Sequence, residues 1–203
     1  MTTGARRRRH GTELESAILA CGWDELVEVG YARLTVGSIA ARAGTSEPVL
    51  YRRWANKDML VLAAIEHQRN THPIEVPDTG GLRGDLLAYL TAVSQGRAAY
   101  FAIVVAAAFS GLLAGTGMTP AQMRERFMGG ESEPHQRVIY QRAHRRGEFD
   151  PQRVPDAVLA MPFDLVRHDL LMDLGPPPPG RIRSIVDELF LPLLRTHLGG
   201  PAA

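Results

Sequence analysis

The sequence predicts an all-α chain, with a small front of three helices followed by a larger helical bundle. Three observations carry this. Apolar residues recur at steps of three and four along nearly the whole chain, as a helix face requires, while alternating runs of strand type are almost missing. The expected helices are bounded by Gly, Pro, Ser, Thr and Asn, which start or stop helices. The 203 residues are 45% apolar and 22% charged, enough for a real core, and this excludes collagen-like and disordered classes.

The elements follow in order. Leu14, Ala17/Ile18, Cys21/Gly22, Leu26 and Val29 lay one apolar stripe along a first helix, and Gly30 is placed to end it as a left-handed cap. Thr35 is placed to cap a short second helix with Val36, Ile39, Ala40 and Ala43 inward and Gly44 as its stop. Ser46 can cap a third, which tolerates Pro48 in its first turn and buries Leu50 and Trp54. Asn56 then caps a fourth helix with Leu60, Ala63, Ala64 and His67 on one side.

From Thr71 to Gly84 the composition turns to Pro, Thr and Gly, which marks a connection. It divides a front domain, residues 1–70, from a body, residues 71–203. Body helices are expected at about 83–95, 97–115, 120–146, 154–173 and 181–198, interrupted at Gly129-Gly130, Asp150-Pro151 and Pro176 to Pro179. The last two are strongly apolar (Val158, Met161, Leu165 and Met172; Ile182, Ile185/Val186, Leu189/Phe190 and Leu193/Leu194), more so than a single small bundle needs.

Charge excludes little, because 23 basic groups meet 22 acids, but four of the arginines form one run, Arg6 to Arg9. That run suits either a solvated tail or an arm along nucleic acid. One cysteine, Cys21, builds no disulfide framework, and the chain opens without an apolar signal core, so a cytoplasmic setting is expected. Ala98 to Gly115 approaches the length of a membrane span, but an Ala-rich segment without a partner reads as a buried bundle helix, and no membrane partner is expected.

The most informative span is Leu34 to Lys57. Two short helices meet at Gly44-Thr45-Ser46, a turn that sends the second off steeply while its first turn points outward. Ala40, Ala41 and Ala43 permit close approach, and Leu50 and Trp54 bury the rear. The front shows Ser46, Glu47, Pro48, Val49, Tyr51, Arg52 and Arg53, a profile that fits a major groove about 12 Å wide.

With the preceding helix, this stretch resembles the amino-terminal domain of the tetracycline-repressor (TetR) family of bacterial regulators. Ile18, Leu26, Gly30, Leu34-Thr35, Ile39-Ala40, Ala43-Gly44, Ser46, Pro48, Leu50-Tyr51, Trp54 and Lys57 carry the likeness over residues 14–62. The resemblance implies phosphate contacts by Thr35, Tyr51 and Lys57, the only lysine in the chain, and base or flanking phosphate contacts by Glu47, Pro48 and Arg53. Gly37 stands where some members read a base with arginine. Val49 replaces a frequent threonine and offers a methyl to thymine, and Glu47 is useful only against a cytosine amino group. It further implies a ligand-responsive, homodimeric repressor, joined through the last two helices and bound to a palindromic operator of double-stranded DNA.

In the body, Arg97, Phe101, Val104, Met123, Phe127, Tyr140, His144, Met161, Asp164 and His168 are the candidates to line a small-molecule pocket, with Tyr89, Phe109, Gln141 and Met172 beside them. Each apolar member taken singly is better explained as core. Asp164 and His168, four apart, share a helix face and are expected to hydrogen-bond, and Pro162 should kink that helix. No cofactor or metal is implied, since Cys clusters and His pairs at ligand spacing are missing. Hydrolase, metalloprotease and phosphate-loop motifs are missing too, and Cys21 lies on a buried stripe, so no catalytic residue is assigned. Two rivals stay open: a DNA-binding dimer without ligand, and an all-α enzyme or effector-binding protein whose front only resembles a DNA reader.

Overall fold

The computed structural model describes residues 11–129 and 132–198, and all regular structure there is helical. The arginine run at residues 6–9 lies outside the described residues. The chain folds as two compact units. One holds the described residues up to Pro73 together with Ala106–Pro120; the other holds Ile74–Val105 together with the described residues from Ala121 onward.

The first unit begins with α1 (Thr12–Arg33), whose Ile18, Leu19, Gly22 and Leu26 are buried. Gly22 lets α1 approach the fourth helix closely, because a Cβ there would lie 3.2 Å from that of Ala64. Gly30 does not end the helix as a left-handed cap. It breaks the path at φ 76°, ψ 162°, and one more turn runs through Tyr31 to Arg33, closed by Leu34 N–H on the Gly30 carbonyl. Then come α2 (Val36–Ala43), α3 (Glu47–Tyr51) and α4 (Lys57–Thr71), with Leu60, Val61, Leu62, Ala64 and Ile65 of α4 buried. Arg42 pairs with Glu25 and Glu28, tying α2 to α1.

The helix α5 (Leu82–Ala107) is continuous where the sequence predicts two helices parted near Gly96. Glycine inside a helix costs about 1 kcal/mol against alanine, too little to break one. Here its missing side chain leaves room for Ile74, whose Cδ1 would stand 3.0 Å from a Cβ. The interruption comes later, in a π-helical turn at Ala108–Leu112 where Gly111 takes φ 120°, followed by α6 (Leu113–Thr116). Leu82–Thr116 as a whole is long and apolar enough to cross a membrane.

The second unit continues with α7 (Pro120–Arg124), a π-helical turn at Glu125–Gly129, and α8 (Ser132–Arg145). A 3₁₀ turn at Pro151–Arg153 precedes α9 (Asp156–Asp173), which contains a buried Pro162. The last helical run comprises α10 (Pro179–Arg183), a π-helical turn at Ser184–Phe190 and α11 (Leu191–Leu198). Tyr140 centres an aromatic core: it stacks on Phe190 at 6.0 Å, meets Phe149 and Phe163 edge-on at 5.5 and 6.1 Å, and donates its hydroxyl to the Leu159 carbonyl at 2.7 Å. Burial pushes its pKa well above the ordinary tyrosine value.

Polar contacts fasten this unit. Asp85 is fully buried, accepts from the Thr79 amide (2.6 Å) and hydroxyl (2.8 Å), and pairs with Arg146 at 2.9 Å. Arg142 donates to the Val76 and Pro77 carbonyls, and Arg83 forms two 2.7 Å bonds to Asp187.

Candidate nucleic-acid interface

The corner expected from Leu34 to Lys57 is present, and local hydrogen bonds build it. Thr35 is extended (φ −128°, ψ 158°) and caps α2: its Oγ1 accepts from Ser38 N at 3.0 Å while the Ser38 hydroxyl accepts from Thr35 N at 3.2 Å. This reciprocal pair satisfies two amide donors. Gly44 closes α2 in the left-handed region (φ 68°, ψ 38°), where a side chain would strain the backbone. The Thr45 amide returns to the Ala40 carbonyl at 3.0 Å, and the chain turns sharply into α3.

Ser46 stands at the cap position of α3, yet its hydroxyl makes no bond to that helix. The cap is made by backbone alone, with Val49 N–H on the Ser46 carbonyl at 3.0 Å. Leu50 is buried at 1% exposure and anchors the rear of α3, and Trp54 is half-buried behind it. Ser46, Glu47, Pro48, Tyr51, Arg52 and Arg53 are exposed, with Val49 partly covered. Tyr51 is 51% exposed, which leaves its hydroxyl accessible from outside. Arg53 pairs with Glu15 of α1 at 2.8 Å. Gly37 lies in the first turn of α2, next to the Glu47 carboxylate.

Asn56 caps α4 through Oδ1, which accepts from Met59 N at 2.9 Å. Lys57 follows, and its ammonium is already engaged: Nζ donates to the Tyr31 carbonyl at 2.7 Å and lies 4.2 Å from the centre of the Tyr31 ring. Tyr31 in turn donates its hydroxyl to Asp58. Burial first, then that hydrogen bond, raises the Tyr31 pKa well above its ordinary value. Local periodicity reveals neither Tyr31 nor Asp58, because the expected first helix ends at Gly30 and Asp58 belongs to no apolar stripe. The adjacency of Asp58 to Lys57 was the one available signal.

The residues expected to line a pocket in the body separate. Val104, Met123 and Phe127 are buried core, and Met161 is half-buried. Phe101 borders a cavity of about 30 Å³ with Tyr89, Val93 and Phe163. Arg97 is buried with its guanidinium 5.5 Å from the Tyr100 ring. Tyr140 and His144 border a cleft of about 820 Å³ between α8 and the start of α9, with Gln136, Gln141, Gln152 and Leu159.

Two expectations are corrected. Asp164 and His168 do not bond to each other: Asp164 is taken by Arg167 at 2.7 Å and His168 by Asp169 at 3.5 Å, and both expected partners are exposed. Helical spacing puts them on one face, but Arg167 and Asp169 give each a partner other than the expected one. Phe109 and Met172 are exposed at 82% and 65% rather than lining an interior. Among the described residues no group of three or more His, Cys, Asp or Glu is placed to hold a metal.

A helix-turn-helix that aims the exposed side of α3 outward, with Arg52 and Arg53 just past its end and a capped α2 before it, defines a DNA-binding unit. Comparison with known proteins makes the class specific. Residues 18–64 match the family described as bacterial regulatory proteins, tetR family, and residues 76–189 match the tetracyclin repressor-like C-terminal domain. The chain belongs to the TetR family of DNA-binding transcriptional regulators. It is 30% identical over 190 residues to the uncharacterized HTH-type transcriptional regulator Rv1556 of Mycobacterium tuberculosis, covering 91% of this chain and 90% of that one. It is 42% identical over 78 residues to the DNA-binding transcriptional repressor TetR of Mycobacteroides abscessus, a match spanning 38% of this chain and 41% of that repressor. The crystal structure of the TetR family transcription regulator SCO0332 superposes with a TM-score of 0.57 at 25% identity, over 88% of this chain and 97% of that one.

Proposed function

We propose that the protein represses transcription as a homodimer on a near-palindromic operator and leaves it when a small molecule binds the second unit. The observation that carries this reading is the outward face of α3 beside the Thr35 cap. Tyr51 and Arg52 are exposed, and the Thr35 Oγ1, which accepts from Ser38, keeps its own proton to donate to a phosphate. Arg53, paired with Glu15, and the unbonded Ser46 hydroxyl flank them. Thr35, Tyr51 and Lys57 then position the unit on backbone phosphates, while Glu47, Pro48 and Val49 meet base edges.

Dimerisation is supported by exposed apolar side chains on or next to the last helices: Met172 at 65%, Leu174 just past α9 at 49%, Leu189 at 44% and Leu193 at 37%. Buried between two copies, such a patch would hold two recognition helices about 34–36 Å apart, one turn of DNA. The α8–α9 cleft has a Tyr140 and Leu159 floor under a rim of Gln136, Gln141, Gln152, Arg145 and Asp156, which suits a small molecule with an apolar body and hydrogen-bonding groups. The chain passes between the two units at Pro73/Ile74, Val105/Ala106 and Pro120/Ala121, so three covalent crossings connect ligand and DNA sites. A ligand that binds one arrangement better shifts the population toward it. Action on bacterial DNA supports a cytoplasmic location.

Selection of bound DNA from a random pool tests the reading. A palindromic consensus with half-sites one helical turn apart is the expected result. An asymmetric site, or no enrichment, overturns it.

A further inference from the structure

Gly37 and Glu47 form a pair that neither residue explains alone. Gly37 has no positive φ, so its backbone does not demand glycine, and glycine in a helix costs about 1 kcal/mol against alanine. What it provides is space. A Cβ at position 37 would lie 2.7 Å from Oε1 of Glu47, closer than atoms can stand, and 3.4 Å from its Cδ. The Glu47 carboxylate therefore sits in the volume that any other residue at 37 would fill. Glu47 opens α3 on its exposed side, and among the described residues no cation forms an ion pair with it.

We propose that Gly37 and Glu47 act together as a specificity element, in which the vacancy at 37 seats the Glu47 carboxylate to read one cytosine in each half-site. The proposal rests on the DNA-binding reading and adds the base. An ionised carboxylate only accepts hydrogen bonds. Phosphates repel it, and the direct partners the major groove offers it are the amino groups of cytosine and adenine. Adenine carries its N7 acceptor beside the amino group, which faces the second carboxylate oxygen with like charge. Cytosine has no acceptor of its own on that edge. The pair thus favours cytosine and disfavours the other three bases.

The test is selection and competition binding with the full chain and with Glu47→Gln, Gly37→Ala and the double variant. Wild type is expected to select cytosine at one position of each half-site, with roughly tenfold weaker binding when that pair is changed. Glu47→Gln should move the preference at that position alone toward adenine, because an amide both donates and accepts. Gly37→Ala should weaken the cytosine preference at the same position, since the new Cβ displaces the flexible carboxylate, and should weaken the adenine preference of the Gln background too, because the isosteric amide fills the same space. Thermal unfolding of each variant, expected to match wild type or exceed it for Gly37→Ala, separates misfolding from misreading. A wild-type consensus left unchanged by both substitutions overturns the proposal while the operator reading stands. Uniformly tighter binding of Glu47→Gln to all sequences also overturns it, by showing that Glu47 merely repels phosphate. A wild type that enriches nothing removes the operator reading itself.

Discussion

The Lys57 ammonium donates to the Tyr31 carbonyl at 2.7 Å and covers the same residue's ring at 4.2 Å. The next residue, Asp58, accepts the Tyr31 hydroxyl. One tyrosine at the end of α1 is thereby gripped through its carbonyl, ring and hydroxyl by the first two residues of α4. The Ala106–Pro120 segment closes over this grip: a Cβ at Gly111 would lie 3.3 Å from the Tyr31 ring, and one at Gly115 would lie 2.8 Å from Asp58 Cγ.

Removing the hydroxyl isolates one arm of the grip. Tyr31→Phe keeps the ring under Lys57 and should cost about 1.5–3 kcal/mol, the range for a hydrogen bond to a charged group, in urea denaturation at neutral pH. The raised Tyr31 pKa sets the pH dependence. Its contribution is fully present below the unfolded value of 10.0 and is lost as pH rises through the higher folded value. The gap between wild type and Tyr31→Phe should therefore be constant through neutral pH and narrow only in strong alkali. A gap that changes between pH 6 and 8 would contradict this assignment.

Lys57→Ala should weaken binding to all DNA sequences alike, by about 1 kcal/mol, and lower the salt slope by about 0.9, because a phosphate contact carries charge and no sequence information. Fluorescence anisotropy across a salt series measures both. An unchanged slope would leave Lys57 with its Tyr31 role alone.

Gly115→Ala should destabilise the DNA-binding unit although alanine is the better helix former. The new methyl meets the Asp58 carboxylate, and overpacking of this kind costs roughly 1–3 kcal/mol, against about 1 kcal/mol gained in propensity. A lowered Tm with weaker operator binding is expected, and a raised Tm would show that Asp58 yields freely.

Acid should loosen the second unit. Burial pushes the Asp85 pKa up, but the Thr79 amide and hydroxyl and the Arg146 guanidinium outweigh it and leave the carboxyl below its ordinary 3.8. Asp169 and Asp187 are lowered as well, with Arg181 and Arg83 as their cationic partners. A depressed folded pKa stabilises above the unfolded value, and that stabilisation disappears as pH falls through the folded value. Unfolding free energy should thus decline below pH about 4, and Asp85→Asn should be less stable at neutrality with a shallower acid slope.

Leu189→Asp with Leu193→Asp should convert a dimer to a monomer in light scattering and abolish cooperative operator binding, since both are partly exposed and charge in an apolar interface is costly. A double variant that stays dimeric would move the interface elsewhere.

Short-range chemistry made much of this legible before any coordinates. The Thr35 and Asn56 caps and the Gly44 stop each depend on residues three or four apart, so their pattern is written in the local order of the chain. The same holds for the buried Leu50 and the outward Tyr51, adjacent in sequence and turned about 100° from each other around α3. Periodicity assigns a residue to a face without saying what meets that face. It therefore does not show that Phe109 is exposed, that Arg167 and Asp169 separate Asp164 from His168, or that α5 runs on through Gly96.

What packing alone settles are the meetings between distant residues. Tyr31 with Asp58, Gly37 with Glu47, and the Ala106–Pro120 segment with the front helices depend on how helices lie against each other. That arrangement reflects the summed contacts of whole surfaces, and no window of ten or fifteen residues contains it. Local order chose the helices and the corner between them, and three-dimensional packing chose which side chains that corner holds ready.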